Sequence, residues 1–237
     1  MTLSDVEQGA QVVVYSESGE QVAAGPAVGR GNRWRHQIAV APFGPNGELE
    51  LAEVLTPHIG GIAGFYRMDG DSLNLVAQQD SVTSHSVVSR NFDMGLAGDL
   101  DGDGQPELVV LDQPFREVVA SCRTPDGVAV AWRAAVGGKA VTNSASVESG
   151  AGISLGAGRD DGVLRIWLAT WPLGTPFNRP LEICLVKTPP SAPTWGPCQH
   201  RRHHWAQVPR FLGRCGRKPA FRSPSRPRRG RCPEGRC

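Results

Sequence analysis

Short apolar runs broken by turn residues fill the chain from its start to about Val186. Residues 12–15 (Val-Val-Val-Tyr) and 21–24 (Gln-Val-Ala-Ala) flank Ser-Glu-Ser-Gly-Glu and predict a hairpin. Residues 37–40 read as a strand stopped by Pro42. Residues 49–55 alternate apolar and polar as far as Glu53, which predicts a half-buried strand. Three further hairpins share one design. Residues 62–68 turn at Asp69-Gly70 into 73–78, residues 118–123 turn at Asp126-Gly127 into 128–134, and residues 153–157 turn at Asp161-Gly162 into 163–169. Asp-Gly supplies the positive φ that tight hairpin turns need. No helical stripe competes with these patterns, so the fold class expected is all-β.

Three stretches look alike as inner strands: 37–40 (Gln-Ile-Ala-Val), 107–110 (Glu-Leu-Val-Val) and 152–155 (Gly-Ile-Ser-Leu). Their spacing suits repeated units of one small antiparallel sheet each, with one insertion. Only the middle unit is preceded by clustered acids. The equivalent stretch before Gln37 is Gly31-Asn-Arg-Trp-Arg35, which has no carboxylate, so a single metal site is expected.

That acidic stretch carries the densest chemistry in the chain. In Asp99-Leu-Asp101-Gly-Asp103-Gly-Gln105-Pro-Glu107, carboxylates fall at positions 1, 3, 5 and 9. Two unit charges about 6 Å apart repel by about 3 kcal/mol at an effective dielectric near 20. A hard divalent cation removes the conflict, and Ca²⁺ suits an all-oxygen cage. Asp99, Asp101 and Asp103 would give side-chain oxygens, Gln105 its backbone carbonyl, and Glu107 a closing carboxylate. An EF-hand is excluded because its position 12 falls on Val110 and no helix signal flanks the loop. The bland alternative is an acidic hairpin turn without metal.

Asp99-x-Asp101-x-Asp103-Gly104-x-x-Glu107 followed by Leu-Val-Val resembles the calcium loop of FG-GAP/VCBS repeats, with Glu107 where that family usually ends in Asp. The resemblance is specific over the loop and looser over residues 30–170. It implies an integrin-α-like β-propeller, Ca²⁺ as the bound ion, an extracellular or cell-surface setting, and a protein or glycan ligand. Residues 160–167 also look like the third strand of a WD-repeat blade. The expectation is therefore a partial β-propeller of about three four-stranded antiparallel blades over residues 1–186. Propellers close with more blades than this, so exposed sheet edges, a partner chain or missing blades are expected. The polar start, without a secretory leader, favours a piece of a longer propeller.

Composition changes the picture after residue 186. Residues 1–186 hold 12 Lys+Arg against 22 Asp+Glu, a net −10, whereas residues 187–237 hold 13 basic residues and one acid, a net +12. This tail carries nine prolines, four of the six cysteines and no hydrophobic period, so it reads as disordered. Arg226, Arg228, Arg229 and Arg231 with Trp195, Trp205 and Phe211 would suit nucleic acid. The composition matches an out-of-frame continuation of a GC-rich gene better. Cys198, His200, His203, His204 and Cys215 miss the usual paired zinc spacing. No run of 18 apolar residues exists, so no membrane span is expected.

Three other signals are weaker. Gly152-Ile-Ser154-Leu-Gly156 matches a nucleophile-elbow string, but a β run rather than a helix follows it. Cys122 and Cys184 are the only thiols before the tail, and spacing does not decide whether they bond. His58 and His85 sit near strand ends and would line the channel of a propeller. A polysaccharide-acting enzyme on the same scaffold is the alternative function, although no paired acids beyond the loop support it.

Overall fold

A computed structural model describes residues 1–169, except Asn32 and Val88, and residues 180–184. The tail readings, including the basic arm and its Cys/His set, lie outside the described residues. Every regular element among those described is a β-strand, so the chain is all-β.

Among the described residues sixteen strands run in chain order: β1 (Thr2–Asp5), β2 (Gly9–Tyr15), β3 (Gln21–Ala24), β4 (Arg35–Ala41), β5 (Glu50–Leu55), β6 (Ile62–Asp69), β7 (Ser72–Asp80), β8 (Val82–Thr83), β9 (Leu96–Gly98), β10 (Glu107–Asp112), β11 (Glu117–Thr124), β12 (Gly127–Ala135), β13 (Ala145–Ser149), β14 (Gly152–Gly158), β15 (Val163–Trp167) and β16 (Leu181–Cys184). They form three sheets. A curled seven-stranded sheet has the order β1-β2-β3-β7-β6-β5-β4. Its last four strands form an up-and-down meander, and the N-terminal hairpin joins it through one parallel bridge, Ala24 to Ser72. The second sheet runs β12-β11-β10, with β8 and β9 both pairing with β10. The third is the meander β13-β14-β15-β16.

The predicted hairpins form, but two turns are not centred on Asp-Gly: Asp69 pairs with Ser72, which puts Gly70-Asp71 at the centre, and Thr124 pairs with Gly127, which puts Pro125-Asp126 there. The positive φ comes from the glycine alone. Gly70 has φ +59° and Gly162 φ +82°, while neither Asp69 nor Asp161 has positive φ. The three stretches taken as equivalent inner strands are not equivalent: β4 is the edge of its sheet, whereas β10 and β14 are interior. The shared Ile/Val/Leu pattern does not by itself report two-sided burial: the edge strand β4 is only partly buried, with Val40 66% exposed, whereas residues 107–111 of β10 are all buried.

Strand β10 lies between two cores. Leu108 and Val110 pack with Phe43, Val54, Ala63 and Phe65 of the first sheet. Val109 and Leu111 pack with Trp132, Leu155 and Trp167 toward the third. Both faces being covered explains why its sequence is a continuous apolar run rather than an alternation. At about 25 cal/mol per Å² of apolar surface buried, each fully buried Leu or Val contributes roughly 1.5–3 kcal/mol.

Strand β5 overturns the half-buried expectation. Glu50 and Glu53 are buried, and Leu49 just before the strand is 66% exposed. The charges are tolerated inside because each meets arginine. Arg35 donates its Nε to both oxygens of Glu53, at 3.0 and 3.1 Å, and its guanidinium also reaches the Pro26 carbonyl. Glu50 takes Arg67 at 2.6 Å and Arg123 at 3.0 Å. Burial of a charge is sustained only with such paired, hydrogen-bonded geometry.

Candidate metal loop and its surroundings

Hairpin pairing of Gly98 with Glu107 closes a loop over residues 99–106 between β9 and β10. Inside it, short Asp side chains cap the backbone. Asp99 Oδ1 accepts from the Gly102 amide at 2.7 Å, and its Oδ2 accepts from Gly104 at 3.0 Å. Asp101 accepts from the Asp103 amide at 3.1 Å, and Asp103 from the Gln105 amide at 2.8 Å. These contacts wind the loop tightly, which Gly102 (φ +81°) and Gly104 (φ +90°) permit without the strain that a Cβ would bring.

The winding points the acids inward. One carboxylate oxygen from each of Asp99, Asp101, Asp103 and Glu107 lies within 4.8 Å of the other three, and among the described residues this is the one group of three or more His, Cys, Asp or Glu side chains so gathered. Asp99 and Asp101 are half-buried, Asp103 is exposed, and Glu107 is buried. Gln105 sits on the exposed limb of the loop. Glu107 is the first residue of β10, and its Oε2 accepts from the Leu100 amide at 2.8 Å. Burial pushes its pKa up to about 8; Asp101 and the charge on Asp103 push the same way, against the Leu100 hydrogen bond. Such a set, one desolvated carboxyl facing three more, can hold a metal ion, because a cation offsets the repulsion and desolvation together.

Cys122 on β11 is a free thiol, so it does not bond to Cys184. Burial raises its pKa, and the charges of Asp103, Glu107 and Asp101 add to that. Ser154 lies within β14, and its Oγ accepts from the Ala169 amide at 3.1 Å. No helix follows it among the described residues, which removes the nucleophile-elbow reading.

His58 and His85, distant in sequence, come together with ring centroids 5.4 Å apart. Sequence reasoning flagged both but missed their third member, His36 on β4, whose ring lies 5.6 Å from that of His85. A histidine in a strand carries no local signal; only the pairing of sheets brings it in.

No protein-family model matches the chain, and comparison with curated proteins and with solved structures finds no match either. Among the described residues no helix is long and apolar enough to cross a membrane.

Proposed function

We propose that this chain is a Ca²⁺-binding, non-enzymatic repeat module of FG-GAP/VCBS-like β-propeller type that serves protein or glycan binding. The observation that carries the reading is the convergence of the Asp99, Asp101, Asp103 and Glu107 oxygens at the mouth of a doubly buried strand. The ion takes those four side chains and the Gln105 carbonyl, and so ties an acidic turn to the centre of the molecule. Calcium is favoured over softer metals because every donor is oxygen. Successive up-and-down sheets, stacked through shared apolar layers on β10, support a blade-like arrangement.

Thermal unfolding with and without Ca²⁺ tests the reading. With Kd on the order of 10⁻⁴–10⁻³ M, 10 mM Ca²⁺ adds about 1.4–2.7 kcal/mol through RT ln(1 + [L]/Kd). Asp101→Asn abolishes the gain. An unchanged melting temperature at 10 mM Ca²⁺ in the wild-type chain overturns the proposal.

A further inference from the structure

Where the first two sheets meet, three imidazoles gather. His36 comes from β4, His58 from the turn after β5, and His85 from the segment after β8. Trp34 and Phe92 wall them in, with centroids 5.2 and 5.9 Å from His85. His85 is 2% exposed, and neither of its ring nitrogens has a hydrogen-bond partner; Nδ1 of His58 is also buried and unpartnered. A neutral imidazole carries one donor and one acceptor. Leaving both unmade in a buried ring costs more than packing alone explains, which calls for a ligand.

The geometry points to a second metal site, in which His58 and His85, joined by His36, hold a divalent ion of the borderline transition class such as Zn²⁺ or Ni²⁺. Imidazole nitrogen suits these ions and not calcium. Two imidazoles on one tetrahedral ion, with metal–nitrogen bonds of about 2.0–2.1 Å, have ring centres about 5 Å apart. The His58–His85 and His36–His85 separations of 5.4 and 5.6 Å fall near that value. His36 already has the outer link that metal-bound histidines usually show, Nδ1 to Ser84 Oγ at 2.8 Å, which leaves its Nε2 for the ion. The three sets of nitrogens do not yet converge within 4.8 Å. Turning an imidazole about its Cβ–Cγ bond swaps nitrogen and carbon positions while the ring keeps its place. Both His85 and His36 have pKa values lowered chiefly by burial, so each is neutral and able to ligate at pH 7. Asp93, which bears on His36, is the acidic group opposing that shift.

The test is calorimetric titration of Zn²⁺ into the full chain with 10 mM Ca²⁺ present, so that the acidic loop is engaged by its own ion. The wild type binds one more Zn²⁺ than His85→Phe, and His58→Gln and His36→Gln each weaken that site tenfold or more. The tail's cysteines and histidines contribute equally to all four proteins and cancel. His58→Gln and His36→Gln change half-buried side chains, so they decide the matter if His85→Phe fails to fold. Equal stoichiometry and affinity in the wild type and these two variants overturn the site. Asp101→Asn leaves this Zn²⁺ isotherm unchanged, which separates failure here from failure of the calcium reading.

Discussion

Replacing Glu107 with Gln keeps the size and polarity of the side chain and removes its ionisation. In the folded chain without metal the Glu107 pKa is raised, chiefly by burial, to about 8, against 4.5 as the ordinary value. A carboxyl with a raised folded pKa favours folding below its unfolded pKa and loses that advantage as pH rises through the folded one. The metal-free wild type therefore loses stability between about pH 4.5 and pH 8. At pH 7 the folded group holds a proton while the unfolded one has released it, and about 2.5 pH units at 1.36 kcal/mol each give a cost on the order of 3 kcal/mol. The glutamine variant, which has no proton to lose, escapes that cost. In EDTA at pH 7, Glu107→Gln should melt roughly 6–12 °C above the wild type, using about 2–4 °C per kcal/mol for a domain of this size. At pH 5 the two should nearly coincide. With 10 mM Ca²⁺ the order contracts or reverses, because only the wild type gains. Differential scanning fluorimetry across pH 5–9 reads all of this. A variant less stable than the wild type in EDTA at pH 8 refutes the reasoning, since it would mean that the buried carboxylate is held as an ion without metal.

Other outcomes follow from the same contacts. Arg35→Met, which strands Glu53 in the interior, should cost about 3–5 kcal/mol in urea unfolding; a loss under about 1 kcal/mol would show that the pair is hydrated. Leu108→Ala at the centre of β10 should cost about 2–5 kcal/mol, measured the same way, with the midpoint rather than the slope moving. Burial lowers the His85 pKa to about 4, with His36 and His58 adding to it. A base with a depressed folded pKa stabilises fully above its unfolded value near 6.5 and loses this as pH falls toward 4. In EDTA, His85→Phe should therefore flatten the acid limb of the stability curve by an amount on the order of 2 kcal/mol, and an unaltered limb counts against a neutral buried ring.

What could be read from the sequence was local. The β10 run, the presence of hairpins around Gly70 and Gly162, and the acidic loop each lie within about a dozen residues, where period and turn chemistry act directly. What could not be read depends on partners far along the chain. Glu50 looked solvent-facing because Arg123, which neutralises it, sits 73 positions away. The edge position of β4 and the meeting of His36 with His58 and His85 likewise come from the stacking of sheets, which no single strand encodes.

The ladder along β10 has one odd stitch. Thr83 faces Leu111 and Leu96 faces Val109, so one residue opposite Val110 would complete a regular strand, yet the whole stretch 84–95 leaves and returns there. The sheet gives up a single pairing position, and the excursion is anchored at both ends in the interior, where Ser84, His85 and Met94 are buried. Relatives of this fold could vary the exposed positions between those anchors, such as Val87, Arg90 and Phe92, while the strand beneath keeps its register. New surface chemistry would then be acquired without re-solving the packing problem of the interior.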